Sequence, residues 1–204
     1  MPYCATFRIL LHLLHNTKID FMKNNTVLLF LGICTIFLMG CDNDDDVFTT
    51  FRSDKGLTYN ESLEKWTKLK SENGNSYTYK ITRSSVFGSS NTTTLIIQEG
   101  KIVARSYESY IRDPEKNDLS LILEDSYEED ASNLGSNKNG AELKLIDDYY
   151  NDCSSKYLVV NTSNNILTLK TNDLGITTSC GYTNKECQDD CFRGYVISYF
   201  EWKK

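Results

Sequence analysis

Cys153, Cys180, Cys187 and Cys191 are the residues of this 204-residue chain best equipped for covalent chemistry. In an oxidising compartment, four such thiols imply two disulfides. Three pairings are open. Cys153 falls on the apolar face of a helical pattern and reaches toward a sheet or the cysteine-rich loop. That favours Cys153–Cys180 with Cys187–Cys191. A four-cysteine zinc site is the competing chemistry. Such sites use two close pairs, whereas "SCGYTNKECQDDC" has six and then three intervening residues, and only Cys187/Cys191 approaches a close pair.

Carboxylates are the next candidates. Asp189 and Asp190 lie between two cysteines, and Asp147-Asp148 lie in a helical pattern. Paired carboxylates can act as acid and base or hold calcium. Adjacent helical residues point to different faces, so solvated surface is the favoured reading, with calcium at Asp189 and Asp190 a weak candidate. Thirteen tyrosines are present, including Tyr107, Tyr110, Tyr149, Tyr150, Tyr195 and Tyr199. Their alternating placement assigns at least half of them to the core, where a ring fills space and its hydroxyl finds a partner. There is no G-x-S-x-G, P-loop or G-x-G-x-x-G motif, so no catalytic residue and no cofactor is implied.

Both histidines, His12 and His15, precede residue 16. A domain beyond them cannot run Ser-His-Asp or Cys-His catalysis, bind zinc through histidine, or switch on histidine protonation. Charge excludes another class. Setting aside Arg8, Lys18, Lys23 and Asp20 in the first 40 residues leaves 19 basic and 27 acidic residues, a net of −8. Nucleic acid requires clustered Lys and Arg, so no nucleic-acid partner is expected.

The N-terminal region has targeting anatomy. Lys23 precedes "TVLLFLGICTIFLM", 14 uncharged residues from Thr26 to Met39. That length suits a signal peptide better than a membrane-spanning helix, which needs about 20 apolar residues. Leu38-Met39-Gly40-Cys41 then resembles the lipobox of bacterial lipoproteins, with Met39 a loose fit. The resemblance implies that residues 22–40 are a cleaved lipoprotein signal peptide and that Cys41 carries lipid. Residues 1–21 read as a start placed too early. The acidic run after Cys41 also resembles the surface-export signals of Bacteroidetes-type lipoproteins. That implies lipid anchoring in the cell envelope, at the outer membrane and at its outer face.

Behind the cysteine, residues 41–57 read as an acidic tether and residues 58–204 as a single domain. Thr58 and Glu61 form a capping box that opens "TYNESLEKWTKLKSENG", which has helical spacing and stops at Asn73-Gly74. "SYTYKITRSS" alternates as a half-buried strand. "TTTLIIQ" and "KIVARSYESY" flank Glu99-Gly100, a tight-hairpin signal, and "DLSLILEDSYEE" reads as another strand. Residues 131–140 read as a loop and "AELKLIDDYYNDC" as a second helix. "KYLVV", "NILTLKT", "GITTSCGY" and "YVISYFEW" read as four strands. The expected fold is α+β: an antiparallel meander with two helices on one face, in the order α-β-β-β-α-β-β-β-β.

"SYTY", "EGK", "LKLIDDYY", "LTLKTNDLGITTS" and "GYVISYF" together resemble an uncharacterised family of secreted bacterial α+β domains and lipoproteins, over Tyr59 to Trp202. Members often carry cysteines near the first hairpin, where "SSVFGSSNTT" has none. The family supports the fold and supplies no reaction. A non-enzymatic binding or structural role is favoured, with the membrane engaged through the lipid and a protein or glycan partner left open. The alternative is a hydrolase or inhibitor module using carboxylate and tyrosine groups on the sheet face or the 181–194 loop.

Overall fold

The computed structural model describes residues 46–85, 88–116, 118, 120–189 and 191–203. The signal segment, Cys41 and Asp190 lie outside the described residues. The fold is α+β, but it is built on two antiparallel sheets rather than one. Helix α1 spans Val47–Thr50 and α2 Tyr59–Glu72. Strands β1 (Tyr77–Ser84), β2 (Ser90–Gln98), β3 (Lys101–Arg112) and β4 (Leu121–Glu129) form a meander, four strands ahead of the next helix where the expected order has three. Helix α3 (Ile146–Asp152) runs into a π-helical turn over Cys153–Tyr157. Strands β5 (Asn165–Thr171), β6 (Thr177–Asn184), β7 (Phe192–Val196) and β8 (Tyr199–Trp202) follow. The larger sheet has the order β4-β3-β2-β1-β8 and the smaller β5-β6-β7.

Local signals worked where both partners are close in sequence. Thr58 Oγ1 accepts from the Glu61 backbone N–H at 3.2 Å, and the Glu61 carboxylate accepts from the Thr58 N–H at 2.8 Å. At the β2–β3 turn Glu99 and Gly100 both have positive φ, 48° and 77°, the backbone of a two-residue hairpin that matches strand twist.

Four further expectations require correction. "YVISYFEW" is two strands. Ile197 N–H bonds Thr178 of β6 and Ser198 N–H bonds Lys80 of β1, so the chain crosses from one sheet to the other. "KYLVV" is not a strand, because Leu158 N–H closes the π-turn onto the Cys153 carbonyl and Leu158 is buried. The second helix starts at Ile146, because the Asp148 carboxylate caps it by accepting from Leu145 N–H at 2.7 Å. The distal part of the expected tether is folded: α1 is capped by Asp46, Val47, Phe48 and Phe51 pack on the core, and Ser53 is buried. Apolar side chains in that stretch have core to cover, which a solvated linker would not offer.

An aromatic cluster fills the space between α2 and the larger sheet. Trp66 has no solvent exposure. Its ring stacks on Trp202 at 5.5 Å and meets Tyr77 edge-on at 5.3 Å and Phe200 at 6.0 Å. Seven tyrosines (59, 77, 79, 107, 149, 150 and 195) are buried. Cys153–Cys180 ties the end of α3 to β6, with Cα atoms 5.7 Å apart, and Cys187–Cys191 closes the loop before β7. The first bridge closes 27 residues of sequence separation and contributes about 3 kcal/mol by restricting the unfolded chain.

Tyr150 joins three elements through one hydroxyl. It accepts from Thr177 N–H at 2.9 Å, shares a 2.8 Å bond with Ser62 Oγ, and lies 3.2 Å from the Ser62 carbonyl. The Tyr195 hydroxyl, equally buried, bonds no described protein group. Tyr150→Phe therefore strands a buried N–H and should lower stability by about 1–3 kcal/mol. Tyr195→Phe removes a hydroxyl without protein partners and should lower it by less than about 1 kcal/mol. Denaturant unfolding of both variants gives the comparison, and equal losses would refute this account of the junction.

Candidate functional site

The buried face of β2, β3 and β4 is covered by a strap, residues 130–145, instead of a helix. The strap has no regular backbone hydrogen bonding, so its polar groups need partners from the sheet. Arg105 and Glu129, from β3 and β4, supply them. The pair is buried, with side chains 5% and 0% exposed. Both guanidinium nitrogens that face the carboxylate bond it at 2.9 Å. Glu129 also accepts from Gly135 N–H at 2.9 Å and Asn137 N–H at 2.7 Å, while Arg105 donates to the carbonyls of Asn137 and Ala141. Thr93 Oγ1 accepts from Ala141 N–H, and the hydroxyls of Tyr127 and Tyr79 donate to the carbonyls of Asn139 and Lys144. Gly140 is required where the strap lies lowest. Its φ is +87°, and a Cβ there would lie 2.8 Å from Thr93 Oγ1 and 3.0 Å from the Tyr107 ring.

The far end of the strap forms one wall of a cleft of about 640 Å³. The end of β1 (Ile81, Thr82, Arg83) and the β7 stretch Phe192–Val196 form two more walls. Tyr149 and Asp152 of α3, with Tyr157 of the π-turn, form the floor. Phe192 lies across the Gly181–Gly194 cross-strand pair of β6 and β7. A Cβ on Gly194 would sit 2.8 Å from its ring, so glycine is what lets the ring lie flat there.

Lys144 neutralises the acidic groups of the cleft. It bonds Asp152 at 2.8 Å and Glu142 at 2.7 Å, and Lys156 adds a 2.6 Å contact to Asp152. The bonds from Asp152 and then Glu142 raise the lysine's pKa, keeping it protonated. Burial pushes the Asp152 carboxyl up, but the two lysines outweigh it and hold the group below its ordinary value. The Lys144 bond lowers Glu142. Burial raises Tyr149 and takes Tyr195 well above the usual phenol range. Both carboxylates are thus ionised at neutral pH, and neither tyrosine is an accessible phenolate.

The carboxylates singled out by sequence sit elsewhere. Asp147 accepts from Trp66 Nε1 at 3.2 Å and from Lys70 at 2.5 Å, Asp148 caps α3, and Asp189 is exposed. Among the described residues no three His, Cys, Asp or Glu side chains converge on a metal position. Sequence reasoning missed Arg83, Lys138, Lys144 and Asp152, which come together only because the strap and β7 meet across β1. Glu142-x-Lys144 was visible in sequence, but nothing local marked Asp152 as its partner. Compared with known proteins, the chain matches no family model, no curated relative and no solved structure. Among the described residues no helix is long and apolar enough to cross a membrane.

The Arg105 bonds first, then the Asn137 and Gly135 N–H groups, hold the Glu129 carboxyl far below its ordinary range against opposing burial. Its contribution is complete above the ordinary glutamate pKa of about 4.3 and is lost as pH falls through the lower folded value. Glu129→Gln should cost about 3–5 kcal/mol by leaving Arg105 buried and uncompensated. Its melting temperature should also fall less steeply than the wild type's on acidification from pH 5. Thermal melts across that range check both; parallel curves would remove Glu129 as the acid-sensitive lock.

Proposed function

We propose that this protein is a lipid-anchored, non-enzymatic binding module of the bacterial cell envelope, held at the outer membrane through Cys41, with the cleft as its binding site. The observation that carries the binding reading is Lys144. By bonding both cleft carboxylates it keeps them charged, which suits fixed electrostatic recognition and leaves no protonated acid to donate to a leaving group. A hydrolase or inhibitor reading on the 181–194 loop has less support. Asp189 is exposed there, and among the described residues no group of three His, Cys, Asp or Glu side chains gathers around it.

Export and anchoring rest on the lipobox-like Leu38–Cys41, the preceding apolar run and the two disulfides, which fit an oxidising compartment. Asp46 caps α1, so only residues 42–45 lie between the anchor and the folded domain. Such a tether reaches at most about 18 Å when extended, which keeps the start of the folded domain near the membrane surface. The acidic residues Asp42, Asp44 and Asp45 in it also support display on the outer face.

Cells fed a labelled fatty acid should label the wild-type protein and retain it in the membrane fraction, while Cys41→Ala should lose both label and retention. A Cys41→Ala protein still labelled and membrane-bound would overturn the anchor.

A further inference from the structure

We propose that the cleft takes a small monocarboxylate with a flat ring body, its carboxylate held between Arg83 and Lys138. The inference rests on the cleft being the binding site and names the chemistry of its ligand.

Charge selects the anion. Three cations and two carboxylates line the cleft. Lys144 and the carboxylates satisfy one another, with Lys156 adding a further positive partner for Asp152. Arg83 and Lys138 remain. Neither makes an ion pair or side-chain hydrogen bond with any described residue, and Lys138 is exposed at the mouth. Arg83 lies near enough to Tyr149 for its charge to favour that phenol's ionisation. Two lining cations without an ion-pair partner among the described residues, in a chain of net charge −6, favour a locally positive potential that draws anions in. A guanidinium matches a carboxylate with two parallel N–H···O bonds.

The same charges set the valence. Glu142 stands at the cleft with its side chain 77% exposed. With three cations against two carboxylates the lining carries one surplus positive charge, which a carboxylate monoanion neutralises and a phosphate dianion exceeds. The body of the ligand follows from the walls. Tyr157 and the part-exposed Phe192 ring over its glycine pair offer flat apolar faces, and rings stack on such faces. The volume lies within the roughly 300–1,000 Å³ usual for small-molecule sites.

The full chain in detergent micelles, titrated with benzoate and followed by NMR shifts, tests the assignment. Benzamide, of the same shape without the charge, is the control, and inorganic phosphate is the competing anion. Benzoate should bind saturably, and benzamide about tenfold or more weaker. Arg83→Ala/Lys138→Ala should weaken benzoate by a similar factor while leaving the melting temperature unchanged, since both side chains are exposed. Benzamide binding as well as benzoate, or the double variant keeping its affinity, would overturn the anion assignment and leave the cleft a binding site. Phosphate binding more tightly than benzoate would overturn the monocarboxylate. Failure of both benzoate and benzamide to bind would overturn the inference together with the binding reading, whereas loss of membrane retention concerns Cys41 alone.

Discussion

The buried pairing of Arg105 with Glu129 is the interaction on which the architecture turns. A sheet face can be covered by a helix, whose backbone is satisfied internally, or by irregular chain, whose backbone is not. Here β2, β3 and β4 lie under irregular chain. That is stable only because the sheet presents donors and acceptors at fixed heights. Glu129 receives the N–H groups of Gly135 and Asn137, and Arg105 receives the carbonyls of Asn137 and Ala141. The two charges also compensate one another, which keeps the desolvation of either from dominating. Arg105 lies over the Tyr127 ring as well, 5.3 Å from its centroid, so even its flat face is occupied.

The other half of the molecule is held by area more than by charge. Trp66 reaches β1 and β8 through Tyr77, Phe200 and Trp202, while Ser62, one turn earlier on the same helix, reaches α3 and β6 through Tyr150 and Thr177. Helix α2 therefore belongs to both sheets. A four-residue step along it changes both the partner and the chemistry, from ring packing to hydroxyl bonding. The disulfide from Cys153 to Cys180 reinforces the hydroxyl-bonded side.

What could be read in the sequence follows from the range of each interaction. The Thr58/Glu61 box and the Glu99-Gly100 turn are complete within a few residues, and both were legible. The α+β class followed from such pieces. The division into two sheets did not, because "YVISYFEW" alternates as one strand would. Only the separate partners of Ile197 and Ser198, 19 and 118 residues away, break it. Residues 131–140 of the strap read as loop from their Asn, Ser and Gly content, whereas 141–145 read as helix. That composition was right, yet it hid the function of the segment, since Glu129 in "SYEED" looks like any surface acid until Arg105 is placed opposite. The cleft cations were hidden for the same reason: Arg83 and Lys138 are 55 residues apart and look like ordinary surface charge.

The cleft itself is a consequence of how the two coverings meet. The strap leaves the larger sheet at Lys144, whose carbonyl is held by Tyr79, and turns into α3 where Tyr77 accepts from Ile146 N–H. From the other side, β7 leaves the smaller sheet at Val196 and crosses at Ile197 and Ser198. Between the two segments the end of β1, Ile81 to Arg83, lines the cleft as a wall. Every wall is fixed by buried hydrogen bonds, the disulfide or strand pairing. The opening is therefore preformed, and the entropy of ordering its floor is met during folding and not again when a ligand enters.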